Sequence, residues 1–104
     1  MDDKVIALFL ERIQDFRDEI DTIYLFGSQV RGTARPNSDY DLLIVIPQKD
    51  RRLKDKLYDV VVDILCETGT DISLKILKRE DFDYLSQIPT PFMENILREG
   101  IKIE

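Results

Sequence analysis

At 104 residues, with 43% hydrophobic and 35% charged positions, the chain has the size and composition of one compact folded domain, 1–104, and not of a disordered polypeptide. Its formal net charge of −6 argues against a broad grip on long DNA or RNA, which rests on basic surface, and no apolar stretch approaches the roughly 20 residues of a membrane helix. Histidine is absent and Cys66 is alone, which excludes His-based nucleophile pairs, imidazole or cysteine metal clusters and an internal disulfide.

The opening Met1-Asp2-Asp3-Lys4 lacks the basic-then-apolar layout of a secretion signal, so a cytoplasmic location is expected. Val5, Phe9, Ile13, Phe16 and Ile20 recur every three or four residues behind Asp2 or Asp3 as N-cap, predicting an amphipathic helix over 3–18. Residues 22–26 form a short β-branched and aromatic run stopped by Gly27, the pattern of a buried strand. Ser28 to Gly32 reads as a helical turn and Thr33 to Asn37, with Pro36-Asn37, as a loop.

Asp39 to Ile46 carries five consecutive aliphatic residues and reads as a central strand. From Lys49 to Thr68 the apolar positions keep helical spacing until Gly69, predicting the longest helix, whose charge run Lys49 to Lys56 is most simply a solvated face. Cys66, behind an apolar run, is expected to be buried. Residues 71–77 alternate apolar and polar as a third strand, 81–85 suggest a short helix, 92–99 a helix stopped by Gly100, and 101–103 an edge strand. Helices alternating with short strands give an α/β domain whose small sheet carries helices mainly on one face. The other face is left for chemistry.

The informative residues lie around the first two strands. Gly27 lets backbone approach a phosphate without an intervening Cβ, the N–H groups that follow open a short helix, and Ser28 adds a hydroxyl donor. Asp39 and Asp41, two apart on an extended segment, project from one face. Two carboxylates that close call for a cation, and an all-oxygen ligand set in a chain without histidine favours Mg²⁺, Mn²⁺ or Ca²⁺ over zinc. Two-metal phosphoryl transfer needs a third carboxylate, for which Asp71, at the polar-face start of the third strand, is the candidate and Asp63 the rival. Arg31 lies one helical turn after Ser28 and suits a phosphate clamp, while Arg35 and Lys75 read equally well as surface charges.

The motif Gly27-Ser28, Arg31-Gly32 and Ser38-Asp39-Tyr40-Asp41 followed by aliphatics resembles the minimal nucleotidyltransferases of the DNA-polymerase-β-like superfamily. The likeness spans nearly the whole chain and thins toward the C-terminus; Val30 stands where the family commonly has a small residue. The resemblance implies a polymerase-β-like fold with a small mixed sheet, nucleotide binding by Gly27, Ser28, Arg31 and Ser38, and two Mg²⁺ ions on Asp39, Asp41 and Asp71. It further implies ATP as substrate, and a separately encoded helical HEPN protein as partner, with the chain acting as an antitoxin that transfers AMP to a tyrosine hydroxyl on it. Two other readings stay open at this point: a binding module that neutralises its partner by covering it, and transfer to a small-molecule hydroxyl in a pocket completed by a homodimer.

Overall fold

A computed structural model of the chain describes residues 3–27 and 39–103; the Ser28 to Asn37 turn and loop, with Ser28, Arg31, Arg35 and Ser38, lie outside them. The first helix, α1, runs Lys4–Arg12, and a 3-10 segment, Gln14–Glu19, continues it. The predicted single helix is thus broken: Ile13 ends α1 and Phe16 takes non-helical angles, which lets Ile13, Phe16 and Ile20 all turn inward. Asp3 is the N-cap, its Oδ1 accepting from the N–H groups of Val5 at 2.9 Å and Ile6 at 3.1 Å.

Strand β1, Thr22–Phe26, and strand β2, Tyr40–Ile46, follow, then helix α2, Arg51–Thr68. Asp50 caps α2 through Leu53 N–H, and Gly69 closes it at φ +75° in the left-handed region that glycine adopts without strain. Strand β3 covers Ile72–Lys78, helix α3 Arg79–Leu85, helix α4 Pro91–Glu99 and strand β4 Ile101–Lys102. Thr90 caps α4 with proline at its first position, where the missing N–H has no intrahelical partner to lose.

The described strands form one mixed sheet in the order β3-β2-β1-β4. β1 runs antiparallel to β2 and β4, whereas β2 and β3 are parallel and joined through α2. On one face Tyr40, Leu42, Ile44, Ile72 and Leu74 pack with α1 and α2 in the larger apolar cluster. Leu43 and Val45, of opposite parity, pack with Phe82 of α3 and Met93 and Ile96 of α4 in a smaller one. The second face is therefore covered over part of its extent by α3 and α4.

Cys66 is exposed, contrary to its expected burial. The run that contains it is longer than one helix face can bury: Leu57, Val60, Val61 and Ile64 turn to the sheet, leaving Val62, Leu65 and Cys66 outside. Among the described residues no helix is long and apolar enough to cross a membrane.

Candidate active site

Because β1 is antiparallel to β2 and β2 parallel to β3, the end of β1 and the beginnings of β2 and β3 meet at one end of the sheet. Phe26 pairs with Asp41, Tyr40 with Ile72, and Asp41 with Ser73. Strand parity then does the rest. Asp39 and Asp41 share the face of Leu43 and Val45, and Asp71, one residue before Ile72, comes level with Asp39 on that face. Apolar cover extends to Leu43 and Phe26; past it Asp41 is half-buried and Asp39 exposed.

Gly27 sits directly against Asp41. Its φ is +81°, and a Cβ built there would collide with the Asp41 carboxylate, whose Oδ2 is the nearest atom and whose Cγ lies 3.1 Å away. The glycine thus meets two demands together, a left-handed backbone and a close approach to a charged side chain. The sequence reading keeps this space for the approach of a phosphate; in the structure the Asp41 carboxylate stands in it.

Asp71 is held differently. Its Oδ1 accepts from Ile72 N–H at 2.9 Å while its carbonyl accepts from Tyr40 N–H at 3.2 Å, so its backbone is stitched to the acid-bearing strand and its side chain folds onto its own. In this conformation no three His, Cys, Asp or Glu side chains among the described residues stand together as a metal-holding group. The side chains of Asp39, Asp41 and Asp71, the acids described at this end, offer oxygen donors, the kind a hard divalent cation takes. Asp63 does not share the location: it lies exposed on α2, which packs against the opposite face. Lys75 is exposed at the position paired with Leu43, further along the acid-bearing face.

One contact here had no separate signal in the sequence. Tyr40, between the two acids, turns to the α1 side, is 9% exposed, and donates from its hydroxyl to Asp3 Oδ2 at 2.6 Å. Burial, and then the bond to the Asp3 carboxylate, push its phenol up to about 12. The alternation of Ser38-Asp39-Tyr40-Asp41 pointed Tyr40 away from the acids, but which group it would reach was a tertiary matter.

Comparison with known proteins bears on the fold and the family. The family model described as polymerase beta, nucleotidyltransferase, matches residues 10–104. MJ1305 of Methanocaldococcus jannaschii, named as a protein adenylyltransferase, is 33% identical over 97 residues, covering 86% of this chain and 66% of that protein. A crystal structure of a toxin–antitoxin with AMP-PNP superposes with a TM-score of 0.60 at 19% identity, over 100% of this chain and 73% of that one. A tri-AMPylated Shewanella oneidensis HEPN toxin in complex with an MNT antitoxin gives 0.51 at 12% identity, over 96% and 71%. At those identities the structural matches speak for the fold, and the family match carries the assignment: the chain belongs to the polymerase β type of nucleotidyltransferases.

Proposed function

We propose that this protein transfers AMP from ATP to a hydroxyl group on a HEPN-type partner protein, and so acts as an antitoxin. The observation that carries the reading is the meeting of Gly27, Asp39 and Asp41 at one end of the sheet, with a left-handed backbone at Gly27 where an added Cβ would run into the Asp41 carboxylate. Gly27 and Ser28 would receive the triphosphate, with Arg31 and Ser38 as further contacts. Asp39 and Asp41 would hold Mg²⁺, with Asp71 as third ligand. The bound metal would supply charge neutralisation on the phosphates and a lowered pKa for the attacking hydroxyl.

The acceptor oxygen bonds to the α-phosphorus as the bond to the bridging β-phosphate oxygen breaks, so AMP is transferred and pyrophosphate leaves. The acceptor proton passes to a carboxylate, for which Asp71 is our choice because it stands level with Asp39 on the neighbouring strand. A protein acceptor is supported by the name of MJ1305, and the HEPN identity of that acceptor by the AMPylated complex with the same fold.

The test is label transfer. Purified chain, α-labelled ATP, Mg²⁺ and a co-expressed HEPN protein should give label on the partner, lost in Asp39→Ala while the complex still forms. Neutralisation that persists without label in an Asp39→Ala, Asp41→Ala double variant would replace this reading with the non-catalytic one.

A further inference from the structure

At the end of the sheet opposite the carboxylates a cleft of about 640 Å³ opens. Its floor is made by Ile46, the last residue of β2, and Ile76 near the end of β3; its walls are the first two turns of α2 and the start of α3. The topology explains its position. β2 and β3 are parallel neighbours, yet α2, which leaves β2, packs into the larger cluster and α3, which leaves β3, packs Phe82 into the smaller one on the other face. Connections that depart to opposite faces leave a crevice outside the carboxyl ends of the strands, where open α/β sheets take their ligands. The volume lies within the roughly 300–1,000 Å³ of small-molecule pockets.

The lining chemistry is specific. Lys49, Arg51 and Lys54 all border the cleft, and none forms an ion pair among the described residues. Arg79, just beyond, is by contrast held by Asp21 and Asp83. With Lys78, which reaches toward Glu80 at 3.9 Å, four cations line the cleft against the three carboxylates of Asp50, Asp55 and Asp81, a net positive lining in a chain of net charge −6, and guanidinium and ammonium groups beside a cavity recognise phosphate oxygens. Tyr58 offers a 42% exposed ring on the same wall, suited to stacking on a base. Asp55 and Asp81 also line the cleft and provide acceptors for sugar hydroxyls, as does Asp50, whose Oδ1 accepts from Leu53 N–H.

We infer that this cleft is a second ligand site, which takes a nucleoside phosphate without a divalent metal: phosphate on Lys49, Arg51 and Lys54, base against Tyr58. The charge run that the sequence reads as a solvated helix face is then one wall of a binding site. The inference does not depend on the transfer reaction.

The experiment is a titration of the isotope-labelled full chain with AMP in EDTA, followed by amide NMR, in the Asp39→Ala, Asp41→Ala background so that the carboxylate end cannot contribute through metal. Saturable shifts are expected at residues 46–54 and 76–81. An Arg51→Ala, Lys54→Ala change, at exposed positions, should weaken AMP by about tenfold or more, as loss of charge-assisted hydrogen bonds implies. Adenosine should bind more weakly than AMP. Shifts confined to residues 24–27 and 39–43, no shifts at all, unchanged affinity in the double variant, or equal affinity for adenosine would each overturn the assignment. None of these results depends on whether label reaches a HEPN partner.

Discussion

The hydroxyl of Tyr40 and the carboxylate of Asp3 form a 2.6 Å hydrogen bond that fastens the start of the acid-bearing strand to the first turn of α1. Asp3 serves both elements with separate oxygens, Oδ1 for the helix cap and Oδ2 for the tyrosine. The two loads separate by mutation. Tyr40→Phe keeps the ring in the larger cluster and removes one bond to a charged acceptor, so stability should fall by about 1–2 kcal/mol in urea unfolding. Asp3→Ala removes the cap as well and should cost more.

The same contact sets an alkaline limit. Because the folded state raises the Tyr40 phenol from 10.0 to about 12, the fold favours the protonated form. Its contribution is complete below the unfolded value and fades as pH climbs through the folded one. Thermal melts between pH 8 and pH 12 should show wild-type stability dropping across that window more steeply than Tyr40→Phe, which has no phenol there to ionise. Parallel profiles would contradict it.

Gly27 and Gly69 give a controlled comparison, since both have positive φ but only Gly27 faces an obstacle. Gly69→Ala meets no atom within 4 Å and should lose only the left-handed preference, about 1 kcal/mol. Gly27→Ala adds a collision with Asp41 and should lower the melting temperature further. It should also abolish label transfer, because what must move to admit the methyl group is the proposed metal ligand. Equal effects at the two glycines would remove Gly27 from the site.

Among the acids, Asp39→Asn and Asp41→Asn should each reduce AMP transfer by about 100-fold or more, the scale of losing one electrostatic stabiliser. Asp71→Asn should retain folding, lose rate, and require more Mg²⁺ for half-maximal activity. EDTA should silence the wild type, and restored Mg²⁺ or Mn²⁺ should revive it. Transfer indifferent to chelation would exclude the metal role.

Much of this molecule can be read from local pattern. The period-two run at Ile72, Leu74 and Ile76 gives β3, the aliphatic run after Asp41 gives β2, and Gly69 marks the end of α2 to the residue. The pairing of Asp39 and Asp41 on one face is equally local, a consequence of spacing alone. What spacing does not carry is partnership across the chain. The break at Ile13 and Phe16 answers to packing under the sheet, and Cys66 is outside because Val61 and Ile64 compete for the same buried face. Asp71 is the intermediate case: its level beside Asp39 follows from a parallel pairing that the sequence only suggests, and its engagement with Ile72 N–H was not legible at all.

The pairing of Phe26 with Asp41 has a final consequence for how such a protein tolerates change. The alignment of glycine and acids is dictated by ladder bonds between neighbouring strands, not by the count of residues linking them. Insertions between Gly27 and Asp39 should therefore be absorbed with the carboxylates still in place. Deleting a single residue from within the first half of β2 should instead rotate the acids toward the α1 side and expose Tyr40 in their stead, inverting the surface while leaving composition almost untouched.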